Sequence, residues 1–266
     1  MSDIEKRIKE KVEKYGKPLK DWDIQIYRGV LTGFNDAFII DGKTKDELIR
    51  KSPKSAEIIH PILKGRNIQK YYTDWTDSYI IFTRRGIDID IYPSIKEYLY
   101  QYYEDLKPKT NQNDVKGRKA GTYKWYEIQD NIAYHEDFKR EKIVWLTISD
   151  DSKFTMDNSG AFCLDSTFIM TGSRLYNIIT FLNSKLIEWY FDGICPSTGM
   201  GTNQWKKFVV EQIPIPEIDT SLEEIVKGKI QSMDKHNDSF IQEELSKIIY
   251  KSYCLSEEEI SFIEKL

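Results

Sequence analysis

The stretch Gly29–Ile40, GVLTGFNDAFII, sets a polar Thr32-Gly33-x-Asn35 between two apolar runs, and the reading of that interruption decides the fold. Gly33 can take a positive φ and Asn35 can hydrogen-bond its own backbone, which is the chemistry of a tight turn. The flanking segments, from Trp22 and up to Ile40, are short and rich in β-branched and aromatic residues, so the stretch is predicted to be strand, turn, strand. A scaffold hairpin is the expected outcome.

Working outward, Ile4, Ile8, Val12 and Tyr15 recur at helical spacing among Lys and Glu, and Gly16 and Pro18 end that helix. A short helix is predicted over 45–51, a mixed segment broken by Pro61 and Gly65 over 58–72, and a strand over 79–83. Pro93 opens a helix carrying Ile95, Tyr98, Leu99, Tyr102 and Leu106, which closes near Pro108. Strands are expected over 142–146 and 161–164, and one apolar helix over 175–191. A glycine-rich stretch, 197–201, leads through Trp205-Lys206-Lys207 to Ile213-Pro214-Ile215-Pro216. Residues 220–266 read as helices, with Leu222, Ile225, Ile230, Leu245, Ile248 and Ile249 as candidate core. The sum is an α+β protein: a linker helix over 1–20, a body with a twisted mixed β-sheet over 21–218, and a small helical appendage over 219–266.

With 266 residues, 40% apolar and 13% aromatic, the chain can bury a substantial core. It holds no run of about 18 apolar residues and its N-terminal segment is charged, so cytoplasmic localisation without membrane contact is the expectation. Cys163, Cys195 and Cys254, like His60, His135 and His236, are scattered, which favours neither a disulfide frame nor a zinc cluster. The net charge of −4 is unevenly placed. Residues 219–266 carry eleven acidic and six basic side chains, leaving the first 218 near +1. Between Lys107 and Lys124, six basic residues face only Asp114.

Catalytic parts are few. There is no phosphate-binding Gly-x-x-x-x-Gly-Lys-Ser/Thr, and no Pro-Pro dipeptide of the kind an exocyclic-amine methyltransferase sets beside its target base. Asp150, Asp151 and Lys153, just after a predicted strand, are the nearest approach to a magnesium-dependent nuclease. The C-terminal helices could alternatively make a protein-interaction module. A DNA-binding reading uses more of the chain, because duplex DNA is held by Lys and Arg on phosphates and read by Arg, Asn or Gln on base edges. The loop over 107–124 combines Lys107, Lys109, Asn111, Gln112, Asn113, Lys116, Arg118, Lys119 and Lys124 with Tyr123, Trp125 and Tyr126 close behind. A connection that long is uncommon in a compact domain unless it is functional or disordered. Arg66, Arg84, Arg85, Lys139, Arg140, Lys206 and Lys207 could add phosphate contacts, with Arg118 or the three amides on base edges.

The order of several short motifs resembles the TaqI-like C-terminal specificity domain: Thr32-Gly33-x-Asn35-x-Ala37-Phe38, Pro61-x-Leu63-x-Gly65-Arg66-x-Ile68-x-x-Tyr71 and Tyr92-Pro93-x-Ile95-Lys96, then Trp125-Tyr126, Lys142-Ile143-Val144-Trp145, Asn183-Ser184-x-Leu186-x-x-Trp189-Tyr190 and Ile213-Pro214-Ile215-Pro216. In that family the domain is the target-recognition part of type IIG restriction and N6-adenine methyltransferase polypeptides, similar to the recognition halves of type I specificity subunits. The resemblance implies a reader of double-stranded DNA, whose methyltransferase or nuclease partner lies in cis or in trans. S-adenosylmethionine and magnesium are expected only in those catalytic domains, with no cofactor in this chain. Family members usually carry the catalytic part upstream, whereas here a charged helix precedes the domain; the alternatives are a fragment of a longer enzyme, which is the expectation, and a free-standing specificity protein that recruits a partner.

Overall fold

The computed structural model describes residues 1–111, 113–195, 204–233 and 238–266. Its centre is an antiparallel sheet of β2 (Ile24–Arg28), β6 (Lys142–Leu146), β7 (Phe154–Asp157) and β9 (Thr167–Gly172), in the order β2-β9-β6-β7. Side chains alternate across a strand, and both faces of this sheet are covered. Ile26, Ile143, Trp145 and Met170 enter one core, whereas Val144 and Ile169 enter the other. Double burial is why Lys142-Ile143-Val144-Trp145-Leu146 reads as a nearly unbroken apolar run.

On one side lies a second sheet of β3 (Ile39–Asp41), β5 (Ser78–Ile81), β4 (Ile59–Leu63) and β8 (Phe162–Cys163), in that spatial order, with β4 and β8 parallel. α3 (Gly42–Lys51) and α4 (Pro93–Tyr100) complete this lobe, burying Leu48, Ile95 and Leu99 with Phe38, Ile62 and Phe162. On the other side, α1 (Asp3–Tyr15), α9 (Thr220–Gln231), α10 (Asp238–Ser252) and α11 (Glu257–Glu264) share one core with the central sheet. The helices beyond residue 219 therefore join the N-terminal helix: Lys11 Nζ lies 2.7 Å from the buried Glu259 carboxylate, and Arg7 2.8 Å from Glu258. Other tail acids pair elsewhere, Glu223 with Arg174, Glu244 with Lys229 and Glu264 with Lys185. β1 (Lys17–Pro18) pairs with β10 (Pro214–Ile215) and ties the two ends of the body together.

Three expectations need correction. The segments flanking Thr32-Gly33-x-Asn35 do not pair with each other: β2 pairs with β9 and β3 with β5, so the stretch carries the chain from the central sheet to the second sheet. Gly33 does take φ +81°, and Thr32 Oγ1 donates to Asn35 Oδ1 at 2.7 Å, but the turn leads into a short helix, α2 (Asn35–Phe38). The expected helix over 175–191 is two helices, α6 (Leu175–Leu182) and α7 (Lys185–Ile194). Asn183 breaks it because its side-chain amide accepts from Phe154 N at 3.0 Å and donates to Phe154 O at 2.8 Å, anchoring the break to β7, and Ser184 caps the second helix. The Pro93 helix likewise stops at Tyr100 and resumes as α5 (Tyr103–Leu106). The glycine-rich 197–201 and His236 lie outside the described residues.

Candidate nucleic-acid interface

The basic loop grows from the end of α5. Its feet are pinched together by two backbone bonds, Lys109 N to Arg118 O and Arg118 N to Lys107 O, both 2.9 Å. Gly117, at φ +108°, makes that closure possible, since a Cβ there would stand 2.6 Å from Lys107 O. The tip is ordered by Asp114, whose carboxylate accepts from Thr110 N (2.7 Å), Thr110 Oγ1 (3.0 Å) and Asn111 N (3.2 Å). Those bonds hold its carboxyl below the usual range. Asn111, Asn113, Lys116 and Lys119 are exposed on this tip around Val115, which is 93% exposed. Lys109 is half-buried at the foot and Lys124 exposed at the exit. Gln112 lies outside the described residues.

Arg118 departs from the expectation that it contacts a base edge. It is 3% exposed, and its guanidinium donates to Leu106 O (2.7 Å), Thr32 O (2.7 Å) and Trp125 O (3.0 Å), with a longer contact to Lys124 O (3.4 Å). It also lies 4.5 Å from the centre of the Tyr123 ring. Burial pushes it down to about 10, still charged at neutral pH. All three of its guanidinium nitrogens are thus engaged by backbone carbonyls, away from any base edge. This is also what the opening Thr-Gly-x-Asn turn is for: it offers the Thr32 carbonyl to Arg118, and a Cβ at Gly33 would meet Arg118 Cδ at 2.8 Å. Tyr123, too, is buried, its hydroxyl donating to Lys119 O.

Arg85 braces the same loop from outside, donating to Thr122 Oγ1 at 2.9 Å and Gln129 O at 2.7 Å. Glu127, buried and missed in the sequence, accepts from Gly86 N and Lys124 N, both at 2.8 Å, and fastens the exit of the loop to the Gly86 turn that follows Arg84 and Arg85. Its signal was absent because a lone Glu in a polar loop looks solvated. Arg84 is exposed beside the loop's base. Charge is partly compensated at the loop: Lys107 pairs with Glu104 at 2.6 Å and Lys116 approaches Asp105 at 3.8 Å.

The remaining candidates stand elsewhere. Arg66 is exposed on the turn after β4, where Gly65 packs against Leu146 of β6. Lys207 starts α8 (Lys207–Val210) and donates to Ile26 O of β2 at 3.2 Å, with Lys206 just before it. Lys139 and Arg140 pair with Glu136 and Asp137 at 2.9 and 3.0 Å. The exposed Asp151 and half-buried Lys153 pair at 3.7 Å in the β6–β7 connection, with Asp150 beside them; among the described residues, no three His, Cys, Asp or Glu side chains gather as metal ligands. Nor, among these residues, is any helix long and apolar enough to cross a membrane.

Comparison with known proteins agrees with this geometry. A search of curated proteins finds no match. Among solved structures, the fold is similar to that of the type IIG restriction endonuclease BpuSI (TM-score 0.56, 14% identity, covering 95% of this chain and 33% of that one). It is also similar to the type IIL restriction-modification enzyme MmeI, solved in complex with DNA (TM-score 0.60, 11% identity, covering 94% of this chain and 37% of that one). The chain thus spans about a third of the length of these enzymes. The TaqI-like C-terminal specificity domain matches residues 60–215, which hold most of the second sheet without β3, the basic loop, the central sheet from β6 onward and α6–α7, and the chain belongs to that family.

Proposed function

We propose that this chain is the DNA target-recognition module of a restriction-modification system, reading a short duplex sequence with the loop over 107–124. The observation that carries the reading is a long loop anchored by a buried arginine while Lys116, Lys119, Asn111 and Asn113 are exposed on it. Preorganisation matters because a loop that must be ordered on binding loses affinity to that ordering. Lys109, Lys116, Lys119, Lys124 and Arg84 neutralise phosphates and set the register, and Asn111, Gln112 and Asn113 contact base edges in the major groove. Val115 supplies an apolar surface suited to a thymine methyl. Methylation of adenine N6, or cleavage, is carried out by a catalytic domain in cis or in trans, which holds S-adenosylmethionine and magnesium, and the assembly works in the cytoplasm.

The test is a salt titration. Five phosphate contacts give a slope of log affinity against log salt of about −4.5. Replacing Lys116 and Lys119 by alanine should weaken binding on all sequences and flatten the slope by about 2. A flat salt response in the parent chain removes the DNA reading altogether.

A further inference from the structure

Next to the Gly86 turn that Glu127 ties to the exit of the basic loop, a cleft of about 410 Å³ opens between the ends of β4 and β5 and the turn over 135–139. Its floor is aromatic: the His60 imidazole stacks on Phe162 (centroids 4.8 Å apart, planes 15° apart), and Phe82 leans on Phe162 at 4.7 Å. Its rim carries donors, Arg84 and Lys139, and acceptors, Glu57 and Asp88. Adjacent residues divide the work: Arg85 braces the recognition loop, while Arg84 lines the cleft.

His60 is the informative group. Among the described residues its ring nitrogens have no hydrogen-bond partner, although neighbouring polar groups are engaged, Tyr92 Oη with Glu57 (3.0 Å) and Lys139 with Glu136 (2.9 Å). Burial first, then the Lys139 charge, pushes His60 down to about 4, against the opposing pull of Glu136, so the ring is neutral at pH 7. A neutral imidazole offers one donor and one acceptor on the same ring. Pockets of this size with an apolar floor and a few converging polar groups are the usual form of a small-ligand site.

The chemistry narrows the occupant. A phosphate or carboxylate would face Glu57, Asp88 and Glu136, and an alkyl chain would strand the charged rim. A flat, uncharged ring with both donors and acceptors on its edge satisfies floor and rim together. We propose that this cleft binds a single nucleobase, resting on the DNA-reading assignment for its source: a base displaced from the duplex held by the loop, with a free nucleoside as the other possible source of the same chemistry.

The experiment uses the full chain and follows the His60 and His135 imidazole signals by proton NMR. In the first arm, the four nucleosides are added at millimolar concentration. In the second, affinity for a fully paired duplex is compared with that for the same duplex carrying one base opposite an abasic position, since extruding an unpaired base costs least. His60→Phe keeps the stacking face and removes the nitrogens, and thermal melting checks that it folds. The expected result is a His60 shift with at least one nucleoside, and in His60→Phe, followed through the His135 signal, that nucleoside binds at least fivefold more weakly. The unpaired-base duplex should bind at least tenfold tighter than the paired one, a gain lost in His60→Phe while paired-duplex affinity stays. Nucleoside binding without a duplex preference keeps the base site and assigns it to free nucleosides. Absence of both effects overturns the proposal, as does inorganic phosphate shifting His60 as far as the nucleosides do. Loss of all duplex binding sinks the DNA-reading assignment instead, and the nucleoside arm still decides the cleft.

Discussion

The two cores flanking the central sheet are built on different principles. The helical core, closed by α1, α6, α7 and α9–α11, is sealed by apolar packing, and its buried polar groups, such as Asn183 and Glu259, fix where helices break and dock. In the lobe with the second sheet, buried polar side chains instead hold loop backbone: Arg118, Glu127 and Thr83 all bond main-chain groups of the 106–127 region or the Gly86 turn. One side holds the body together, and the other holds a loop in place. A loop with almost no apolar residues cannot be fixed by hydrophobic burial, so it is fixed by charge-assisted hydrogen bonds driven inward.

The sharpest way to break this contrast is Arg118→Ala. It strands the carbonyls of Leu106, Thr32 and Trp125, and should cost about 3 kcal/mol or more in urea unfolding, together with most of the duplex affinity. Arg118→Lys should recover little, because an ammonium cannot span those carbonyls. A loss confined to under about 1 kcal/mol would mean the loop is held otherwise.

The second test is pH. His60 has a folded-state value of about 4, below its ordinary 6.5. The unfolded chain therefore binds the extra proton first: the stability contribution is complete above 6.5 and is lost as pH falls toward 4, by about 3 kcal/mol at most. Stability curves of the parent and His60→Phe at pH 7 and pH 4.5 should differ in slope accordingly, and parallel curves would remove His60 from that role.

On the helical side, Asn183→Ala should cost about 2 kcal/mol by unpairing Phe154 N and O. Duplex affinity of the folded fraction should stay unchanged; a matching fall in affinity would show that the two cores are not separable in function. The smallest effect is expected from Glu259→Gln, about 1 kcal/mol. Burial raises this carboxyl, but bonds from Lys11 and Ser256 outweigh it and leave it below the ordinary range. Its contribution is thus present above the usual carboxylate pKa and lost as pH falls through the lowered one. In the variant, the acid limb of the stability curve should flatten.

Local signals carried the sequence reading as far as spacing can. The α1 stripe, the apolar 142–146 strand and Pro93 at a helix start are consequences of period and of proline geometry, and each stands where expected. What stayed hidden depends on distant partners. Thr32 is 86 residues from Arg118, so nothing beside Lys116 and Lys119 marks Arg118 as the inward-facing member of that charge run. Asn183 looks like a helix residue until β7 is folded against it. The turn at Gly33 was legible as a turn, and its being a crossing between sheets was not, because each flanking strand pairs with a distant segment, β2 with β9 more than 100 residues further on and β3 with β5 in the other sheet.

The β1–β10 pairing has a practical corollary. Lys17 lies opposite Ile215, so nearly two hundred intervening residues leave and return at one narrow neck. A graft cut outside α1 and α11 would keep that neck together with the core these helices share with the central sheet, and would leave the 107–124 loop far along the chain from either seam. Reprogramming by exchange of whole bodies should accordingly disturb the host less than exchange of the loop alone, whose anchors at Thr32, Leu106 and Trp125 would have to be carried along with it.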